Sequence, residues 1–185
     1  MFLILPVASI VMRRAYRPSI VASTAVPSER GITSVAGIYS IPFQSHYSAS
    51  KAALTSYAKA LRMELRDFGI RVSVVSPGDT SSTGFAAARR YEIDEDSPYY
   101  KDCRTAVEKM EKDEQSGRPP SSVAKIILKL CTRKSPPIHT VVGFDYKLLV
   151  FMRRLLPERL IGCLLRSMYL RKRENRKVKK ERVVR

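Results

Sequence analysis

Three residues in the first third of the chain are equipped to move a proton to or from oxygen: Ser34, Tyr47 and Lys51. In the stretch SVAGIYSIPFQSHYSASK, Tyr47 follows Ser34 after twelve intervening residues, and Lys51 lies four residues further on. Residues i and i+4 share one face of a helix. An ammonium beside a phenol favours the phenolate. A tyrosine tuned in that way gives or takes a proton near neutral pH. A serine hydroxyl brought alongside can hydrogen-bond a carbonyl oxygen. The set would reduce a ketone or oxidise an alcohol, provided something else carries the hydride. No amino-acid side chain does that, so a nicotinamide cofactor is implied. Taken alone, Tyr47 and Lys51 also fit an ordinary helix with a half-buried tyrosine and a solvated lysine.

Two elements must position these groups. The first is a helix over 45–67, where Leu54, Ala58, Leu61, Leu65 and Phe68 recur at steps of four and three and form one apolar stripe. Gly69 suits its C′ position. The second is a strand over 70–76, IRVSVVS, rich in β-branched residues and stopped by Pro77-Gly78. Ligands of open α/β sheets sit at the carboxyl ends of such strands. The approach to Ser34 is less regular. Gly31-Ile32-Thr33 is the only apolar lead-in, and it follows the polar Pro27-Ser28-Glu29-Arg30. A short strand is expected there.

SVAG, then YSASKAAL, then RVSVVSPG, in that order and spacing, resembles the short-chain dehydrogenase/reductase family. The resemblance covers 32–170. It implies an α/β fold: a Rossmann-like doubly wound parallel sheet, N-terminally truncated, with amphipathic helices at the C-terminus. It implies NAD(P)-dependent reduction of a carbonyl or oxidation of an alcohol. Tyr47 would be the general acid and base, Lys51 would hold the nicotinamide ribose, and Ser34 would orient the substrate oxygen. Pro77, Gly78 and a following threonine would contact the nicotinamide; Thr83 is preferred over Thr80. Residues 84–118 would form the substrate lid as two short helices, in which Tyr91, Tyr99 and Tyr100 either line a pocket or pack as half-exposed rings. The long helix pairs with its twin in many members, which implies a homo-oligomer, although the sheet is expected to take most of its stripe.

The chain also departs from the family's pattern. The family cradles the cofactor pyrophosphate in a glycine-rich turn at a helix N-terminus. None of the eight glycines here lie close enough together to make one. The family's catalytic asparagine has no counterpart, because the only asparagine is Asn175. The expected organisation is an atypical segment 1–31, the C-terminal half of the dinucleotide-binding domain over 32–144, amphipathic helices over 145–170, and a basic tail over 171–185. Two readings stay open: an oxidoreductase acting on a hydrophobic or lipid-like substrate, and a non-catalytic relic whose basic C-terminus binds a membrane surface or a partner. A third is that the chain belongs to a longer protein.

Composition bounds the rest. A chain of 185 residues suits one domain. Cys103, Cys131 and Cys163 are odd in number and far apart. This argues against a disulfide framework and for a reducing, cytoplasmic setting. His46 and His139 have no partners at metal-ligand spacing, so no metal is expected. The apolar run MFLILPVASIVM is shorter than the about 20 residues a bilayer span needs, and its arginines follow it rather than precede it, unlike a secretory signal. It reads as a buried helix, with 19–23 as a short strand. The net charge is +17, and 171–185 is dominated by lysine and arginine. Residues 145–170 read as two helices broken at Pro157. With an apolar stretch immediately upstream of the tail, an anionic membrane surface ranks above nucleic acid as its partner.

Overall fold

The computed structural model describes residues 28–81, 84, 89 and 93–170. The expectations for 1–27, for Thr83 and Tyr91, and for the tail 171–185 lie outside the described residues. Among the described residues, three strands form one sheet in the order β1 (Ser28–Ile32), β2 (Arg71–Ser76), β3 (His139–Val141), and both pairings are parallel. Five described helices accompany them: α1 (Ser45–Glu64), α2 (Tyr100–Gln115), α3 (Pro120–Cys131), α4 (Phe144–Leu155) and α5 (Glu158–Tyr169).

β2 is the centre of the core. Successive strand residues face opposite sides of a sheet. Val72 and Val74 pack with Ala58 and Leu61 of α1 and with Leu65 just after it. Val75 packs with Leu130 of α3 and Val142, and Val123, Ile126 and Ile127 complete that side. A strand covered on both faces reads as a near-continuous run of buried residues, and Val72 to Ser76 are all buried. Helices on both faces of a parallel sheet define a Rossmann-like α/β fold.

The polar lead-in to Ser34 is itself strand. Ser28 to Ile32 pair residue for residue with Arg71 to Val75. Glu29 is exposed, and Arg30 donates to the Leu130 carbonyl at the end of α3 (2.9 Å), one of the carbonyls a helix end leaves unmet. The strand is set by its neighbour β2 and not by its own hydrophobicity. α1 ends at Glu64, three residues before the sequence-based limit, and runs into turns that close at Gly69 with φ 70°. Of its stripe, Ala58, Leu61 and Leu65 are buried, while Leu54 and Phe68 are exposed.

α3 starts at Pro120, because proline's fixed φ suits the first helical position, and the Ser122 hydroxyl donates back to the Pro119 carbonyl. Among the described residues of the segment expected to hold two short helices lies a helix of 16 residues, α2. Its buried residues Cys103, Ala106, Val107 and Met110 follow helical spacing. Tyr99, just before it, is exposed, and Tyr100 is half-buried.

Candidate active site

Thr33 and Val35 anchor the turn that carries Ser34. The Thr33 amide donates to the Val75 carbonyl (2.8 Å) and the Val35 amide to the Pro77 carbonyl (2.9 Å). The turn is therefore fastened to the carboxyl end of β2. A short 3-10 turn follows at Val35–Gly37, and the Ser34 Oγ accepts from the Ala36 amide at 3.1 Å. That bond uses a lone pair and leaves the hydroxyl proton available to a substrate oxygen.

Below the turn, side chains tie the three strands together. The Thr33 and Ser76 hydroxyls lie 2.6 Å apart, and the Ser76 hydroxyl is 2.7 Å from Nε2 of His139. Burial, with a lesser repulsion from Lys59, holds the His139 pKa below its ordinary value. The neutral imidazole is therefore the folded form, while the unfolded chain takes up a proton more readily. Stability is complete above the ordinary histidine range and falls as pH drops through it. We expect the denaturation midpoint to decline between about pH 7 and pH 5, and to decline less in His139→Gln. An equal decline in both proteins would show that another group is responsible.

Gly37 brings the turn onto α1. A Cβ there would stand 2.8 Å from the Lys51 carbonyl carbon and 2.9 Å from the Ala52 nitrogen, both backbone atoms. Only glycine allows so close an approach. On the facing turn of α1, the Lys51 ammonium lies 5.5 Å from the centre of the Tyr47 ring and 3.5 Å from the Ile32 carbonyl. Tyr47 and Lys51 are half-buried. The fold thus joins the Ser34 turn and the Tyr47–Lys51 face of α1 at the carboxyl ends of β1 and β2.

Pro77 and Gly78 follow β2 directly and lie partly exposed. Gly78 meets a residue that sequence reasoning did not single out. A Cβ on Gly78 would come within 2.1 Å of the Tyr146 ring. The Tyr146 hydroxyl accepts from the Asp79 amide at 3.0 Å and donates to the Asp79 carboxylate. Burial, reinforced by that carboxylate, pushes the Tyr146 phenol pKa well above its usual range. Thr80 donates to the Gly78 carbonyl at 3.2 Å and bridges to Arg118.

α4 covers the other side of the site. The Tyr39 hydroxyl donates to the Leu149 carbonyl, Arg153 donates to the Ile38 carbonyl, and the Arg153 guanidinium lies 5.7 Å from the centre of the Tyr39 ring. In the same loop, between Ser34 and Tyr47, Phe43 is the one described non-glycine residue in the left-handed region (φ 59°), with its side chain exposed. On α5, burial followed by the charges of Asp79, Asp113 and Glu114 pushes the Tyr169 phenol up to about 12. Residues far along the chain thus enclose the serine loop and the Pro77–Asp79 segment. No spacing in the sequence signals this.

A nicotinamide cofactor can be tested against these residues. An ammonium has three protons, and that of Lys51 makes one long contact to a carbonyl. Donors therefore remain for ribose hydroxyls, and the site fits the nicotinamide-ribose end. No glycine-rich turn that would hold the pyrophosphate occurs among the described residues. Nor do the described residues include a group of three or more His, Cys, Asp or Glu able to hold a metal ion.

Ser34, Tyr47 and Lys51 thus lie near the carboxyl edge of a parallel sheet flanked by helices. The chain belongs to the short-chain dehydrogenase/reductase family, a family of oxidoreductases. Residues 31–93 match the family model for short chain dehydrogenases. The chain is 35% identical over 134 residues to a 3-ketodihydrosphingosine reductase of Bacteroides thetaiotaomicron, across 71% of this chain and 46% of that protein. It is 31% identical over 144 residues to a probable short-chain type dehydrogenase/reductase, VdlC, of Helicobacter pylori, across 77% of this chain and 53% of that protein. The chain therefore spans about half the length of the curated relatives it matches. Among solved structures, a short-chain dehydrogenase from Streptomyces avermitilis superposes with a TM-score of 0.54 at 26% identity, across 74% of this chain and 48% of that one. A family member from Burkholderia phymatum, solved in complex with NAD, shares the fold with a TM-score of 0.57 at 24% identity, across 69% of this chain and 47% of that one.

Proposed function

We propose that this chain supplies the proton-transfer half of an NAD(P)-dependent carbonyl reductase and alcohol dehydrogenase, with a hydrophobic, lipid-like ketone or alcohol as substrate. The observation that carries the reading is the placement of the Lys51 ammonium between the Tyr47 ring and the Ile32 carbonyl, two residues before Ser34. In reduction, Ser34 donates a hydrogen bond to the substrate oxygen and Tyr47 gives that oxygen its phenolic proton. The Lys51 ammonium stabilises the phenolate left behind. In oxidation Tyr47 takes the proton back. A nicotinamide, when bound, supplies or accepts the hydride at the carbon. Lys51 also holds the ribose, and Pro77 and Gly78 form the nicotinamide wall.

Two features favour an apolar substrate. The loop over the site carries Ile41, an exposed Phe43 ring and Tyr39. The relative from Bacteroides thetaiotaomicron is named for reduction of a 3-keto compound of the sphingosine type. The test is a fluorescence titration of the purified chain with NADPH and with NADH. We expect saturable binding of one of them, weakened roughly tenfold to a hundredfold by Lys51→Ala, as loss of a charged hydrogen bond costs about 1.5–3 kcal/mol. No binding of either at millimolar concentration, by a chain whose circular dichroism shows it folded, would overturn the reading for this chain acting alone.

A further inference from the structure

α4 and α5 each expose an apolar stripe that the fold leaves open. On α4, Phe144, Leu148, Phe151 and Leu155 recur at steps of four, three and four and share one face. They are 79%, 50%, 55% and 64% exposed. The opposite face, with Tyr146, Val150 and Arg153, turns inward. On α5, Leu160, Leu164 and Met168 recur at steps of four and are about half exposed. Exposed cations accompany both stripes: Lys147 and Arg154 on α4, Arg159 and Arg166 on α5. The sequence then runs directly into 171–185, where nine of fifteen residues are lysine or arginine and two are glutamate.

We propose that α4 and α5 dock this protein onto the surface of an anionic lipid bilayer, with the stripes in the headgroup–acyl boundary and Lys147, Arg154, Arg159 and Arg166 on the lipid phosphates. Each helix has 12 residues, about 18 Å of length. No described helix is long and apolar enough to cross a membrane, whereas short amphipathic helices with basic flanks lie in the interface plane. Each cation near an anionic surface adds roughly a fivefold factor to partition. Charge selects the bilayer over a second copy of the chain, because two copies carrying +17 each would bring like charges together around the stripes. Nucleic acid would engage the cations but leave the stripes in water. The inference stands apart from the proposed reaction.

The test is cosedimentation of the full chain with vesicles of phosphatidylcholine, with and without phosphatidylserine. We expect binding to the anionic vesicles, weakened roughly tenfold by Phe151→Glu or Leu155→Glu. Both positions are exposed, so the fold should survive, and circular dichroism checks this. The chain contains no tryptophan, so Phe151→Trp adds a reporter at the stripe, expected to shift to the blue and to be quenched by brominated lipid. Binding that leaves this reporter in water and vanishes in high salt would reduce the contact to the basic tail and overturn the docking face. A lipid-independent blue shift that grows with protein concentration would assign the stripe to a second copy and overturn it as well. So would binding of an oligonucleotide by a chain that ignores anionic vesicles.

Discussion

Tyr47→Phe is expected to lower carbonyl reduction roughly 10²- to 10⁴-fold, the range a positioned general acid contributes, while leaving the fold and cofactor affinity nearly intact. The phenylalanine keeps the ring on α1 and takes away the phenolic proton that would go to the substrate oxygen. Tyr47 is half-buried and belongs to neither hydrophobic cluster of the core. Thermal midpoint and NAD(P)H titration should therefore stay close to those of the parent chain. Steady-state reduction of a long-chain ketone, with kcat and KM measured separately, reads the effect. Loss in kcat with cofactor binding unchanged is the expected signature. Equal turnover by the two proteins would remove Tyr47 from the chemistry, and an equal collapse of the thermal midpoint would make its role structural.

Gly37→Ala is expected to be the most damaging of the small substitutions. The new methyl would meet the backbone of Lys51 and Ala52 at 2.8–2.9 Å, and backbone cannot rotate out of the way. Overpacking of this kind costs about 1–3 kcal/mol. Relief comes only by lifting the Ser34 turn off α1. Ser34 then moves away from Tyr47 and Lys51, so stability and cofactor affinity should fall together. Gly162→Ala is the matching control. Nothing lies within 4 Å of a Cβ there, and alanine in a helix gains about 0.8–1.0 kcal/mol over glycine. Urea denaturation of the two variants separates them. If Gly37→Ala proved as mild as Gly162→Ala, the close seating of the turn on α1 would be wrong.

What could be read from sequence had short-range grammar. β2 was legible because its run of valines is bounded by Pro77-Gly78. α1 was legible because Ala58, Leu61 and Leu65 keep helical spacing. The Tyr47–Lys51 pair followed from that helix, since four residues return the chain to the same face. α2 was harder. Its buried Cys103, Ala106, Val107 and Met110 have the right spacing, but small residues and a dense charged surround dilute their signal.

The amino-acid sequence by itself determined the chemistry on offer: a hydroxyl, a phenol and an ammonium at the ends of two local elements, and the family those residues belong to. Only the tertiary structure decided what surrounds them. Ser28–Ile32 is a strand because β2 offers it a ladder, not because its residues favour one. The C-terminal helices close over the site because Tyr146 reaches Asp79, 67 residues earlier, and Tyr39 reaches Leu149, 110 residues later. Contacts at those separations are set by how the elements pack, and no periodicity within one element encodes them.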